Sequence, residues 1–317
     1  MTAIAWIRRS LREYDNTALV EASKEHDEVI PFYVVDEEYF EEAELGYPRV
    51  KFWHDSLKEF SERLEENGKK LVVRKGKPVE KLQELVEETG AEKIYFNRDY
   101  SPYSRERDSR VKKEVEAEAE SFKDIVMFEK KEILTNSGDP YSVYSYYRDK
   151  WFEREKPRPQ KAEAYTVPDV SSEEIPSLKA LGFEKPEEME VWEGGRSNGR
   201  ERLSDFVHRI GEYGEKRDLA SEDATSKLSP HLKFGTVSIR EAFWEAERAK
   251  ARGQDEEGVK TWQEELAWRD FYFQMLWNHP ETTKEPFLDQ YASLEWKGKD
   301  EAEELWKAWV EGKTGYP

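Results

Sequence analysis

Trp262, Glu265, Arg269 and Tyr272 recur at steps of three and four within Thr261–Tyr272. On a helix, residues so spaced share one face. An aromatic surface beside a carboxylate and a guanidinium suits a flat, heteroaromatic, anionic ligand. The same spacing also fits a core stripe with an ordinary surface pair between Glu265 and Arg269. Upstream lies Gly211-Glu212-Tyr213-Gly214-Glu215-Lys216-Arg217-Asp218, followed by Thr225-Ser226-Lys227-Leu228-Ser229-Pro230. The hydroxyls and free backbone N–H groups of such a turn can hold a phosphate at a helix start, or they can simply cap the helix. A third segment, Leu305-Trp306-Lys307-Ala308-Trp309-Val310, precedes the turn Thr314-Gly315-Tyr316-Pro317. Alone it reads as a helix packing on its neighbours.

Other chemistries are excluded by residue type. The chain has no Cys, which removes disulfides, thiolate nucleophiles and Cys-ligated metal centres together. Its five His residues, His26, His54, His208, His231 and His279, show no metal-ligand spacing, so no metal site is expected.

The elements that position these residues fall into two kinds. Ala3–Ile7, Val29–Val35, Leu71–Arg74, Lys93–Asn97 and Ile125–Phe128 read as strands, short and apolar between polar or Gly/Pro boundaries. Amphipathic stretches near Thr17–Lys24, Val50–Glu66, Val79–Thr89 and Ser104–Ala119 alternate with them. Strand–helix alternation predicts a doubly wound parallel sheet of five strands, although no G-x-G-x-x-G follows Ile7. Pro157, Pro159, Pro168, Pro176 and Pro186 then interrupt an acidic, apolar-poor stretch that reads as a surface linker. Beyond Trp192 helical periodicity takes over at Leu203–Tyr213, Ser238–Ala251, Val259–Asn278 and Ala302–Glu311. The expected fold is therefore α/β plus all-α, with an α/β domain over 1–130, a linker over 131–194 and a helical domain over 195–317.

With 317 residues, two domains or one large one are expected. The 11 Trp, 16 Tyr and 15 Phe exclude a disordered acidic polymer. No apolar run reaches membrane-span length and no secretory h-region opens the chain, so a cytoplasmic protein without membrane contact is expected. The net charge of −19 argues against a non-specific nucleic-acid coat, leaves room for a local basic groove, and suits a halophilic source.

In order and spacing, the three chemistry-bearing segments resemble the flavin-binding domain of the DNA photolyase/cryptochrome family. Trp6-Ile7-Arg8-Arg9-Ser10-Leu11-Arg12-Glu13-Tyr14-Asp15-Asn16 resembles that family's opening, and Tyr100-Ser101-Pro102-Tyr103 with Arg107-Asp108 resembles its antenna-domain segment. The resemblance spans the whole chain. It implies a Rossmann-like antenna domain, a helical domain holding FAD, and light-driven electron transfer from reduced FAD that splits pyrimidine dimers in DNA. Cyclobutane dimers are the expected lesion. A blue-light photosensor of cryptochrome type, or a non-catalytic flavin- or DNA-binding remnant, is the alternative. A second antenna chromophore, deazaflavin or folate, is also implied.

Residue by residue, the resemblance gives Tyr213, Thr225, Ser226, Lys227, Leu228 and Ser229 to the flavin phosphates and Trp262 to the flavin pocket. It gives Glu265 to a hydrogen bond with the dimer, Trp268 to stacking on the flipped lesion and Tyr272 to DNA binding. Arg217 and Arg269 become basic contacts near flavin and DNA phosphates, and Trp296 the surface member of a tryptophan chain that reduces the flavin. In the family a long helical segment follows Thr-Gly-Tyr-Pro. With the sequence ending at Pro317, weak FAD binding is expected unless a separate C-terminal chain completes the pocket; otherwise the protein is expected to be a monomer.

Overall fold

The computed structural model describes all residues except 37, 38, 41–44, 188, 296, 299, 316 and 317. Strands β1 (Thr2–Ile7), β2 (Glu28–Val35), β3 (Val72–Lys75), β4 (Lys93–Asn97) and β5 (Glu118–Phe122) form one sheet of order β3-β2-β1-β4-β5. Every pairing is parallel, with Ala3 opposite both Val29 and Lys93. Crossover helices α1 (Thr17–Glu25), α2 (Tyr47–Glu66), α3 (Pro78–Thr89) and α4 (Pro102–Glu114) cover its faces. Alternation along β1 assigns the layers. Ala3, Ala5 and Ile7 pack with Leu19, Val50, Trp53 and Leu57, whereas Ile4 and Trp6 pack with Leu82, Leu85 and Val111. Pro78 opens α3 and Gly90, at φ +65°, ends it, as the sequence leads one to expect.

The fifth strand corrects the expectation. Ile125–Phe128 is buried but irregular, and the strand is Glu118–Phe122, which the sequence pattern extends α4 into. An edge strand carrying Glu118, Glu120 and Ser121 shows little apolar alternation, so its pattern is masked. The apolar run that looked like a strand is instead wedged between Tyr100 and the helical part, against Phe273 and Trp277.

After the sheet come α5 (Tyr144–Glu153), α6 (Arg196–Val207), a 3-10 turn (Ile210–Glu212), α7 (Tyr213–Lys216), α8 (Ser229–Phe234), α9 (Ile239–Ala251) and α10 (Glu256–Asn278). Helix α6 starts and ends earlier than its periodicity suggests, and Tyr213 begins a separate turn of helix. Trp151 sits at the centre of this helical core among Phe128, Phe243 and Phe152. The Pro-rich stretch is largely irregular, but it is fastened to the sheet: Tyr165 is buried there and the Glu173 N–H donates to Val73.

A buried charge network joins sheet and helices. Arg12 donates to both oxygens of Asp124 at 2.8 and 2.9 Å. Arg240 of α9 donates to both oxygens of Asp15 at 2.9 Å and to Asp124 at 2.8 Å. Burial alone would raise the Asp124 carboxyl, but Arg12 and Arg240 overcome it and hold the group below the ordinary carboxylate range. Gly235, at φ +67°, ends α8 where an added Cβ would lie 2.4 Å from Ser10 Cα. That close approach lets the Ser10 and Leu11 N–H groups donate to the Phe234 carbonyl.

Contacts divide the chain into Met1–Asn278 and His279–Pro317. The second unit contains two 3-10 turns and α11 (Glu303–Val310), on which Leu305, Trp309 and Val310 are exposed.

Candidate functional site: one helix face and a sheet edge

Helix α10 presents the expected face. Trp262, Glu265, Trp268, Arg269 and Tyr272 line one cavity of about 600 Å³ with Tyr213, Ser226, Leu228 and Ser229. Trp262 is buried against Phe206 and forms the cavity's inner wall. Trp268 stacks on Tyr272 one turn later, with ring centroids 5.5 Å apart. The face thus lines a cavity and meets the core, and Trp262 belongs to both.

The expected Glu265–Arg269 pair does not form. Glu265 accepts a 2.6 Å hydrogen bond from Arg217 instead. Arg269 donates to the carbonyls of Ile125 and Leu232 and lies over the Phe273 ring. Burial, then the charge of Arg9, pushes the Arg269 guanidinium down to about 10. Its donors thus hold backbone, and what it gives the cavity is charge.

The turn before α8 offers part of the donor set that the sequence leads one to expect. Ser226 and Ser229 reach the cavity, and the backbone N–H groups of Ser226 and Lys227 have no protein acceptor among the described residues. Lys227 takes a left-handed φ of +53° and pairs with Asp223 at 2.5 Å, so its amine faces away from this task. Thr225, Lys227 and Arg217 are not among the cavity's lining residues. Leu228 is buried in the helical core while also touching the cavity. Burial, then Glu265, raises the Tyr213 phenol, which keeps its O–H available as a donor. Trp296, Tyr316 and Pro317 lie outside the described residues.

Two groups escaped the sequence. Asp270, buried beneath the face, accepts from the backbone N–H groups of Met127 and Phe128 and from the Trp151 indole at 3.0 Å. Burial pushes its carboxyl up to about 6. Asp270 anchors α10 to the irregular Ile125–Phe128 run by taking backbone N–H groups that a strand would give to its neighbour.

The other is a cavity of about 360 Å³ at the carboxyl ends of the strands. Such crevices are where open α/β sheets bind ligands. Trp6, Tyr33, Tyr39, Phe40, Trp53 and Tyr103 supply aromatic walls, and Arg9, Arg49, Arg107 and Lys233 supply cations. Desolvation, then Arg9 and Arg49, pushes the Lys233 amine down to about 8. Burial would raise Asp99, but Arg9 and Arg8 overcome it and keep it ionised. Arg9 and Lys233 border both cavities, so one layer of side chains separates them. Strand-end position was the available signal for this site.

A doubly wound sheet joined to a helical cavity matches known proteins along its length. The family described as DNA photolyase matches residues 3–166, and the FAD binding domain of DNA photolyase matches residues 262–317. The deoxyribodipyrimidine photo-lyase of Halobacterium salinarum is 35% identical over 98% of this chain and 68% of its own length. The chain belongs to the DNA photolyase family. Within it, a bacterial class III photolyase from Agrobacterium tumefaciens superposes on the whole chain with a TM-score of 0.87 at 28% identity, over 66% of its own length. An archaeal photolyase from Sulfolobus tokodaii, solved with two FAD molecules, gives a TM-score of 0.74 at 29% identity over the whole chain and 68% of its own. The chain thus spans about two thirds of the length of these three relatives. Among the described residues, no helix is long and apolar enough to cross a membrane.

Proposed function

We propose that this chain works in light-driven repair of cyclobutane pyrimidine dimers in DNA, with FAD in the helical cavity and a second, light-harvesting chromophore at the sheet edge. The observation that carries the reading is the gathering of Tyr213, Ser226, Ser229, Trp262, Glu265 and Trp268 around one cavity. These residues fit the cofactor. The turn's unpartnered backbone N–H groups and hydroxyls suit its phosphates, and Trp262 offers a wall for a flat ring. Bound reduced FAD supplies, on absorbing blue light, the electron that splits the dimer.

The chain's own residues bind and orient the lesion. Trp268 offers a stacking surface for an extruded base, worth about 1–3 kcal/mol. Glu265 accepts a hydrogen bond from a base N–H while Arg217 balances its charge. A photosensor needs neither group facing a dimer, which favours repair over sensing. At the sheet edge, aromatic walls and cations suit a flat anionic pigment of deazaflavin, flavin or folate type.

The test is equilibrium binding of the chain to oligonucleotides with and without one thymine dimer, at high salt. The dimer should bind at least tenfold more tightly, and Trp268→Ala should remove most of that preference. Equal affinity for both oligonucleotides overturns the reading.

A further inference from the structure

Beside the reading face lies a second aromatic ring, and what it does deepens the function proposed above and rests on it. Tyr144 opens α5, far from α10 in sequence. Its ring lies 3.4 Å from that of Trp268, centroid to centroid, with the planes 10° apart. Tyr272 stacks on the same indole at 21°. The cavity is lined by Trp268 and Tyr272 but not by Tyr144. Tyr144 therefore stacks on the indole without lining the cavity. Two contacts fix it there: its hydroxyl donates to the Glu264 carbonyl at 2.8 Å and its ring meets the edge of Phe271 at 5.8 Å, while Arg148 of the same helix pairs with Glu264 at 3.6 Å. Burial raises the Tyr144 phenol well above its ordinary range, so the hydroxyl remains a donor.

An indole on a half-exposed helix face loses rotamer freedom when a ligand stacks on it, and that loss weakens binding. A ring already clamped by a stacked neighbour removes the loss beforehand. We propose that Tyr144 is a positioning residue: it holds Trp268 in the plane on which an extruded pyrimidine stacks.

The test uses the full chain with Tyr144→Phe, which keeps the ring, and Tyr144→Leu, which removes it. Acrylamide quenching of Trp268 emission, isolated by difference against Trp268→Phe, reports the free indole. The ratio of affinities for dimer-containing and undamaged oligonucleotides reports lesion reading. Tyr144→Leu should increase quenching and lower that ratio by about three- to tenfold, with undamaged affinity unchanged. Tyr144→Phe should stay within about twofold of wild type on both. The proposal is overturned if Tyr144→Leu behaves as wild type. It is equally overturned if Tyr144→Phe loses as much, since the hydroxyl bond to Glu264 would then be the agent. A wild-type chain blind to the dimer would sink the repair function instead, and quenching alone would then decide whether Tyr144 fixes the indole.

Discussion

Asp124 and Asp270 are equally buried, yet their carboxyls are pushed in opposite directions. Asp124 meets two guanidiniums and the hydroxyls of Ser10 and Thr17. Asp270 meets three N–H groups and no salt-bridge partner among the described residues. Hydrogen bonds from partial charges do not offset the desolvation of a full negative charge, whereas formal counter-charges do. The joint between sheet and helices is thus a permanent ionic lock. The anchor under the functional helix is a charge that mild acid removes.

Arg240→Ala should give the largest effect. It strips Asp15 of its cation and leaves Asp124 with one, so urea unfolding should show a loss of about 3–5 kcal/mol. A loss below about 1 kcal/mol would erase the contrast with Asp270. At Asp270 the sign is reversed. The folded pKa of about 6 lies above the unfolded value, so the native state favours the protonated form. That contribution is full below about pH 4 and is lost as pH rises through about 6, a span of roughly 3 kcal/mol. Wild type should therefore gain stability relative to Asp270→Asn between pH 7.5 and pH 4.5, and parallel curves would refute the assignment. The Asp124 contribution runs the other way, present above about pH 4 and lost below it.

Arg269→Met tests whether a cation that holds only carbonyls resembles the lock or the anchor. Loss of its bonds to Ile125 and Leu232 should cost about 1.5–3 kcal/mol in thermal or urea unfolding. Lesion affinity alone falling, with stability intact, would mean that its charge faces DNA. The smallest effect belongs to Ser101→Ala, which removes the cap accepting from Ser104 N–H at the start of α4, about 1 kcal/mol.

The sequence made the parallel sheet legible because β1, β2 and β4 are apolar on both faces, and it made α10 legible because its face repeats at helical spacing. It misplaced the last strand because Ile125 and Val126 are apolar for packing against Phe273 and Trp277, while the Met127 and Phe128 N–H groups go to Asp270, all more than 140 positions away. The same limit hid Tyr144, the Arg217–Glu265 pair and the sheet-edge cavity. Each exists only through partners that no local pattern names. Local spacing put Trp262, Glu265, Arg269 and Tyr272 on one face, but the surface pair it offered between Glu265 and Arg269 does not form, because a distant arginine competes for the carboxylate.

The ionic lock also has a consequence for the order of events on the ribosome. Arg12 and Asp124 are 112 positions apart and can meet once the sheet has been made. Asp15 must wait for Arg240, 225 positions later. Until α9 leaves the exit tunnel, a nascent sheet carries an uncompensated carboxylate on the surface it will bury. Burying an unpaired carboxylate is costly, so closure of that surface over Asp15 is expected to follow the synthesis of Arg240.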